Sequence, residues 1–197
     1  MNIGIDFDDT LNDYRSLLKD LVHERHHKEL KLGETLASTI GKEVSENLVK
    51  EVLETELSLR LVPRKNSIEV MQRLIEAGHE FIILTARYDR EVHYIDEWLT
   101  KHGLQANVYP TNREDKGPIA KQLELAFHLD DMISQINTFT RDHQTVPVLI
   151  AGGWMPTSLA GGDSNATKVS DLATKVEDWL EFESLVNTAA QTQTSVR

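Results

Sequence analysis

Short apolar runs alternate with amphipathic segments along most of this chain, and this alternation constrains the fold more than any other feature of the sequence. Residues 3–5, 81–84 and 146–150 form short runs rich in branched apolar side chains, as is typical of buried strands. Two of the amphipathic segments end at Gly78 and Gly103, as helices often do. Strands that alternate with helices favour a parallel sheet covered on both faces. The sequence therefore predicts an α/β fold with a Rossmann-like parallel sheet.

Further elements complete this pattern. They are strands at residues 107–109 and 125–129 and helices at residues 67–77, 90–102 and 118–123. A Gly-rich loop, residues 152–162, follows the fifth predicted strand. Ser170-Asp171 is a favourable N-cap and predicts a last helix that runs to about Val186. The Thr- and Gln-rich residues 188–197 are expected to form a disordered tail.

A helical insertion separates the first strand from the rest of the predicted sheet. Apolar residues at helical spacing begin near Tyr14, and a second amphipathic stretch covers residues 42–59. Pro63 ends this region, since the residue before a proline disfavours helical geometry. We therefore expect an α/β core made of residues 1–11 and 63–187, with a small all-helical cap, residues 12–62, inserted after the first strand.

Composition excludes several classes of protein. The 197-residue chain has 21 Lys and Arg against 32 Asp and Glu, a net charge of −11, and no cluster of basic residues. This charge argues against broad nucleic-acid binding. The absence of Cys excludes disulfides, thiolate zinc sites and cysteine nucleophiles. Without a long apolar stretch or a signal-peptide pattern, we expect a cytoplasmic protein that does not contact membranes. The sequence does not predict an oligomeric state.

Polar residues stand where the predicted strands end. The first strand ends at Asp6, the second at Thr85 and the fourth at Asp130-Asp131. The carboxyl ends of parallel strands share one edge of the sheet, which is where ligands bind in such folds. Carboxylates brought this close together need a counter-charge. A hard divalent cation meets that need, and Mg²⁺ is the usual one where the substrate is a phosphate.

Asp8, Asp9 and Lys116 extend this cluster. The two carboxylates lie in the turn after the first strand, and Lys116 lies in the loop before the fourth, where its ammonium can add positive charge. Each residue alone has an ordinary explanation: Asp-rich turns are common, Thr85 can cap a strand end, Lys116 can be a solvated lysine, and Asp130-Asp131 can begin a helix. Their combined order along the chain favours a functional site.

These residues resemble the motifs of the haloacid dehalogenase (HAD) superfamily, in its phosphohydrolase branch. Residues 6–10, Asp-Phe-Asp-Asp-Thr, have the DxDxT form of the first motif, and residues 82–87 resemble the second. Lys116 resembles the third motif and residues 128–131 the fourth. A weaker likeness to the 5′(3′)-deoxyribonucleotidase-like group rests on Asp115-Lys116 followed by a strand that ends in Asp-Asp.

The resemblance implies a role for each motif residue. Asp6 would attack phosphorus and form an aspartyl phosphate, and Asp8 would protonate the leaving alcohol and later deprotonate water. Thr85 and Lys116 would contact the phosphoryl oxygens, with Ala86 and Arg87 as further substrate-binding positions. Lys121 is a weaker candidate for the lysine of the third motif.

The resemblance also implies a cofactor and a class of substrate. Mg²⁺ would be held by Asp6, the backbone carbonyl of Asp8, and one of Asp130 and Asp131. The substrate would be a small phosphomonoester, with (deoxy)nucleoside monophosphates first and sugar phosphates or other small metabolites as the alternative. A dehalogenase would need neither the metal nor Asp8. A non-catalytic protein that binds a phosphorylated ligand is the alternative from another class.

Residues outside the motifs are weaker candidates. Tyr14, Arg15 and Arg60 are candidate substrate contacts or ordinary packing and surface residues. The group His23, His26 and His27 has the adjacency of a metal site, but solvent-facing histidines are the simpler interpretation. Trp154, after the fifth strand, could pack against a base or against the cap.

Overall fold

A computed structural model describes residues 1–31, 33–151 and 168–194 of the chain. Within these ranges, six strands form a single parallel sheet in the order β3-β2-β1-β4-β5-β6. The strands are β1 (Asn2–Ile5), β2 (Glu80–Thr85), β3 (Asn107–Pro110), β4 (Phe127–Asp130), β5 (Val146–Ile150) and β6 (Thr174–Val176). The predicted Rossmann-like parallel sheet is confirmed, with β1 at its centre between β2 and β4.

Eight α-helices connect and cover these strands in the described part of the chain. They are α1 (Tyr14–His26), α2 (Leu36–Ile40), α3 (Lys42–Glu54), α4 (Ser67–Glu76), α5 (Val92–Lys101), α6 (Lys116–Gln122), α7 (Ile133–Ile136) and α8 (Trp179–Thr194). Two 3₁₀ turns, Glu56–Arg60 and Asp89–Glu91, precede the α4 and α5 regions. None of the helices in these ranges is long and apolar enough to cross a membrane.

Alternation along the strands produces a hydrophobic layer on each face of the sheet, because successive side chains point to opposite faces. The larger layer packs α4, α5 and α8 against the central strands through residues that include Ile3, Ile5, Ile83, Met71, Trp98 and Phe182. On the other face, Leu84 packs with Ile119 of α6, and Leu149 packs with the buried residues of α7. Helices therefore cover both faces, and only the strand ends stay open for chemistry.

The insertion, residues 12–62, leaves the sheet and returns to it at neighbouring points. Asn12 and Pro63 form an isolated antiparallel bridge, and the Asp13 N–H donates to the Val62 carbonyl at 2.9 Å. Between these points the chain forms α1, α2, α3 and the turn Glu56–Arg60. The buried Trp98 indole of α5 donates to the Leu61 carbonyl at 2.7 Å, which fixes the returning segment against the sheet layer.

The structure corrects the predicted start of the last helix. After Ser170 the chain makes a turn and then β6, a short strand that the sequence analysis does not predict. The helix begins only at Trp179, where the Asp178 carboxylate accepts the N–H groups of Leu180 and Glu181 at 2.9 and 3.0 Å. Asp178, and not Ser170-Asp171, is therefore the residue that caps this helix.

The predicted disordered tail is wrong for residues 188–194, because α8 continues to Thr194. Ala189 still packs against the main hydrophobic layer, and the Thr188 hydroxyl donates to the Ser184 carbonyl at 2.8 Å. The packing of Ala189 thus helps to extend α8 beyond Val186, although most side chains at this end of the helix are polar. Trp154 and the predicted loop at residues 152–162 lie outside the described residues.

Candidate active site

Three neighbouring strands bring polar side chains to the centre of one sheet edge. Asp6 directly follows β1, Thr85 ends β2 and Asp130 ends β4, and all three side chains are buried. The Asp6 N–H donates to the Leu129 carbonyl at 2.9 Å, so ladder bonding continues up to the residue that carries the carboxylate. The expectation that these residues share one edge follows from the parallel pairing of the strands, and the structure places them there.

Lys116 inserts its ammonium between two of these carboxylates. Its Nζ lies 2.5 Å from Asp6 Oδ1 and 2.6 Å from Asp130 Oδ2, and the side chain is 1% exposed. Lys116 is the first residue of α6, not a loop residue as the sequence suggests. Gly117 lets this helix start approach the neighbouring backbone, because a Cβ there would lie 2.4 Å from the Thr138 carbonyl oxygen. The two carboxylates raise the pKa of Lys116 despite its burial, so it is charged.

The two carboxylates beside Lys116 differ in their protonation. Burial raises the pKa of Asp6 to about 7, although Lys116 opposes the rise. Burial alone would also raise the pKa of Asp130, but the charge of Lys116 and the hydrogen bond from His128 bring it down to about 2. Asp130 also accepts the Met132 N–H at 2.7 Å through Oδ1. Asp130 is therefore the fixed anion of the pair, and Asp6 is the more weakly stabilised one.

Asp131 completes a group of acidic side chains that could hold a cation. Carboxylate oxygens of Asp6, Asp130 and Asp131 lie within 4.8 Å of one another, and all three residues are buried. The Thr10 hydroxyl donates to Asp131 Oδ1 at 3.4 Å, and burial with the nearby carboxylates raises the pKa of Asp131 well above the ordinary value. Three carboxylates and one ammonium leave two negative charges. This donor set fits a hard divalent cation such as Mg²⁺.

Asp8 forms a bidentate ion pair with Arg87. Arg87 Nε and Nη2 each lie 2.8 Å from one carboxylate oxygen of Asp8. The remaining guanidinium nitrogen, Nη1, donates to the Ser58 hydroxyl of the insertion at 2.7 Å. Arg87 is thus a buried link between Asp8 and the insertion. Its predicted contact with substrate stays a prediction. No sequence signal indicates Ser58, because the partners lie far apart along the chain.

Asp9 has its own arginine partners. Its carboxylate accepts the Arg15 backbone N–H at 2.9 Å and Arg15 Nε at 2.8 Å. Arg64 donates to the Asp9 carbonyl at 2.9 Å. Burial raises the pKa of Asp9 to about 6, although the charge of Arg15 opposes the rise. Asp9 has a φ of 60°, a left-handed conformation in which Asp is less disfavoured than most residues. Asp9 therefore shapes the turn between Asp8 and the insertion.

His128 is a second residue to which the sequence analysis assigns no role. It lies in β4 two positions before Asp130 and is fully buried, with Nε2 at 3.2 Å from Asp130 Oδ2. Its Nδ1 has no hydrogen-bond partner among the described residues. Burial lowers the pKa of His128, so the ring is neutral and supports Asp130 as a hydrogen-bond donor. A histidine in a buried strand with a carboxylate two residues later on the same face is the signal that could have found it.

A cavity of about 520 Å³ opens above these carboxylates, between the sheet edge and the insertion. Asp6, Asp8 and Lys116 line it from the sheet edge and the start of α6. Tyr14, Leu18 and further residues of the insertion line it as well. Thr85, Ala86, Arg87, Asp130 and Asp131 also line it, so the residues predicted to be catalytic, substrate-binding or metal-binding all line one cavity. Of the three candidates from the insertion, Tyr14 and Arg15 line it as well.

Other sequence candidates lie elsewhere. The Nζ of Lys121 pairs with Asp142 at 2.6 Å on the surface, so this lysine does not reach the carboxylates. Arg60 forms an exposed ion pair with Glu24. His23 and His27 are exposed on α1 and at its end, and His26 is half-buried. In the described parts of the chain, these three histidines do not join a group of side chains that could hold a metal ion.

Comparison with solved structures decides the fold. A hydrolase of the HAD family from Deinococcus radiodurans R1, with bound phosphate and sodium, aligns over 96% of each chain with a TM-score of 0.65 and 13% identity. The D,D-heptose 1,7-bisphosphate phosphatase from B. bronchiseptica, complexed with magnesium and phosphate, aligns over 95% of this chain and 98% of its own, with a TM-score of 0.55 and 11% identity. The chain has the HAD fold.

A further HAD-fold structure and a curated sequence extend the comparison. A predicted phosphoglycolate phosphatase from Haemophilus somnus 129pt aligns over 93% of this chain and 96% of its own, with a TM-score of 0.55 and 13% identity. A curated Bacillus cereus protein named "Putative nucleotidase" is 24% identical over 155 residues, which cover 70% of this chain and 80% of that protein. No model of a protein family matches the sequence.

Proposed function

We propose that this HAD-fold chain is a Mg²⁺-dependent phosphomonoesterase that works through an aspartyl phosphate. The observation that carries the proposal is the state of Asp6 at the floor of the cavity. Lys116 holds Asp6 Oδ1 at 2.5 Å, while Oδ2 accepts no hydrogen bond from the residues that the structure describes. A buried carboxylate with one oxygen fixed by a cation and the other available is suited to nucleophilic attack.

The first step joins Asp6 to phosphorus. Asp6 Oδ2 forms the new O–P bond as the P–O bond to the alcohol breaks, and protonated Asp8 gives its proton to the departing alkoxide oxygen. The Thr85 hydroxyl donates to a phosphoryl oxygen, and the Lys116 ammonium compensates the charge that Asp6 and the phosphoryl group bring together. Closure of the cavity by the insertion excludes water and strengthens these interactions.

The second step releases phosphate. Asp8, now a carboxylate, takes a proton from a water molecule, and the hydroxide oxygen forms a bond to phosphorus while the bond to Asp6 breaks. Inorganic phosphate leaves, Asp6 is again a carboxylate and Asp8 is again protonated. Arg87 holds both oxygens of Asp8 in this structure, so proton transfer requires Asp8 to turn at least one oxygen toward the cavity.

Asp6, the Asp8 carbonyl and Asp131 would hold Mg²⁺, with Asp130 beside them. Asp131 is the better direct ligand of the pair, because both Asp130 oxygens already accept hydrogen bonds within the protein. When bound, Mg²⁺ would neutralise charge on the transferring phosphoryl group and fix its orientation.

The names of similar proteins bear on the class of substrate. The curated relative named as a nucleotidase favours (deoxy)nucleoside monophosphates as first candidates. HAD-fold neighbours named as heptose bisphosphate and phosphoglycolate phosphatases keep sugar phosphates and other small phosphomonoesters as the alternative.

Phosphate release from a panel of phosphorylated metabolites tests the proposal. We expect turnover with Mg²⁺, none after EDTA treatment, and none with Asp6→Asn, which is nearly isosteric. Asp96→Asn, an exposed change on α5, is the matched control and should keep full activity. Full activity of Asp6→Asn or of the EDTA-treated protein would show that the nucleophile or the metal is wrongly assigned. Binding of phosphomonoesters without turnover would favour the non-catalytic alternative.

A further inference from the structure

The hydroxyl of Tyr14 is buried at the cavity without a partner. Tyr14 is the first residue of α1 and lines the same cavity as Asp8 and Arg87. Its hydroxyl oxygen is buried and forms no hydrogen bond with any residue that the structure describes. Burial raises the pKa of Tyr14 and the charge of Asp8 adds to the rise, so the hydroxyl stays protonated. A buried donor without an acceptor is unfavourable in the free protein and indicates a ligand that supplies one.

Aliphatic side chains of the insertion line the cavity together with Tyr14, and we call this part of the lining the wall. Leu18 lies one helical turn after Tyr14 on the same face of α1, and Val49 and Leu53 are similarly spaced on α3. Leu30 and Leu36 also line the cavity. Glu34 and Thr35 of the insertion add polar groups to the lining, but a polyhydroxylated group placed against the aliphatic side chains would lose hydrogen bonds to water there. An apolar surface on the ligand would instead bury these side chains.

The position of this wall relative to the carboxylates decides which part of a substrate meets it. Asp6, Lys116 and Asp131 lie on the sheet edge and would take the phosphoryl group. Residues of the insertion line the same cavity as these carboxylates, so with the phosphoryl group at the carboxylates they would meet the alcohol to which it is attached. Tyr14 lies at the end of the wall near the chemistry, because the charges that act on it are chiefly those of Asp8 and Arg87.

We propose that this wall is a subsite for the leaving group and selects phosphomonoesters whose alcohol carries an aromatic ring. In this subsite the Tyr14 hydroxyl donates a hydrogen bond to an oxygen of that alcohol. The inference rests on the proposed phosphomonoesterase function and narrows its substrate class. Among the candidates, it favours a nucleoside monophosphate, which combines a ring with ribose oxygens, over a sugar phosphate.

Three phosphate esters of primary alcohols test the wall while keeping the reacting end of the substrate similar. They are thymidine 5′-monophosphate, 2-phenylethyl phosphate and glucose 6-phosphate. We expect kcat/KM for each of the two aromatic esters to exceed that for glucose 6-phosphate by at least about tenfold, since burial of one ring is worth more than one such factor. Equal values, or a preference for glucose 6-phosphate, would overturn the inference alone. Inactivity with all three and with the wider panel would overturn the proposed function itself.

Tyr14→Phe tests the hydrogen bond, with Tyr94→Phe as the matched control, since Tyr94 is half-buried on α5 and does not line the cavity. We expect Tyr14→Phe to raise KM for thymidine 5′-monophosphate about 3–10-fold, as loss of one hydrogen bond predicts. The inhibition constant of inorganic phosphate should stay unchanged, and the melting temperature should not fall, because the Tyr14 hydroxyl forms no hydrogen bond with the residues that the structure describes. A parallel rise of KM and of the phosphate inhibition constant would place Tyr14 at the phosphoryl group and overturn the inference. Unchanged KM, or an effect equal to that of Tyr94→Phe, would also overturn it.

Discussion

Replacing Lys116 with methionine should destabilise the metal-free protein strongly. The substitution keeps the length and most of the volume of the side chain but removes the ammonium that lies 2.5 Å from Asp6 and 2.6 Å from Asp130. Asp130 is fully buried, so water cannot readily replace the partner that this carboxylate loses. Removing one member of a buried ion pair costs about 3–5 kcal/mol.

Proton uptake limits this cost. The pKa of Asp6 is already about 7 with Lys116 present, and without Lys116 this carboxyl becomes neutral at pH 7. The unpaired charge that remains is that of Asp130. For a chain of this size, each kcal/mol moves the melting temperature by about 2–4 °C. We therefore expect Lys116→Met to melt about 6–20 °C below the wild type at pH 7.

Lys121→Met is the matched control, because it removes a lysine of the same helix. Its ammonium also has a carboxylate partner at 2.6 Å, but Lys121 and Asp142 are 51% and 67% exposed. Such surface pairs contribute about 0–1 kcal/mol, so the control should melt within about 4 °C of the wild type. Adding Asp130→Asn to Lys116→Met should recover much of the loss. Thermal unfolding followed by circular dichroism in EDTA measures all four proteins, and equal melting temperatures for Lys116→Met and Lys121→Met would refute the argument.

Three further predictions follow from the same cluster and from the insertion. Mg²⁺ at about 100 times its dissociation constant should stabilise the folded state by about 2.7 kcal/mol and raise the melting temperature by about 5–10 °C. The double variant Asp130→Asn/Asp131→Asn should lose this response to Mg²⁺. An equal rise of the melting temperature in that variant would place the metal elsewhere. Without metal, the contribution of Asp6 and Asp9 to stability should fall as pH rises from about 4 to about 7, because their folded-state pKa values, about 7 and about 6, are raised above the ordinary 3.8 and the stabilisation present below that value is lost through the folded-state values. His128, whose pKa burial lowers, contributes in the opposite direction. Asp6→Asn should therefore remove part of the fall seen for the wild type in melting curves recorded in EDTA, and the same pH dependence in both proteins would contradict this reasoning. Replacing the insertion by a short linker should change the ratios of kcat/KM among natural phosphomonoesters far more than it changes activity on a small aryl phosphate. Unchanged ratios across the panel would count against the insertion as the source of selectivity.

The sequence predicts which residues meet at this edge of the sheet because strand ends are local features. Asp6 and Asp130 each follow a short apolar run, and parallel pairing then brings them together without further information. Arg87 and Ser58 show the limit of this reasoning. Their contact joins the insertion to the sheet edge and depends on how the insertion folds back, which no periodicity within either segment encodes. The contact between Tyr14 and the cavity depends on the same packing.

The wrong prediction for the start of the last helix and the missed strand β6 have a different cause. Ser170-Asp171 and Asp178 are equally good N-caps by residue type, so composition alone does not choose between them. The choice is made by β6, whose three residues include the polar Thr174 and Lys175 and give no alternation long enough to recognise. Its pairing with β5 supplies the backbone hydrogen bonds that make it a strand, and these exist only in the folded sheet.

The central position of β1 has a consequence for how this protein acquires its structure on the ribosome. Asn2 pairs with Glu80 of β2, and Ile3 pairs with Phe127 of β4, so β1 gains its second neighbour only after the long segment between β1 and β4 has been synthesised. Such non-local pairing slows folding, because the entropy of a long loop must be lost before the contacts form. Until then an apolar strand and its ionisable end stay unpaired, a state prone to aggregation. The strand order therefore delays completion of the centre of the sheet until β4 is available for pairing.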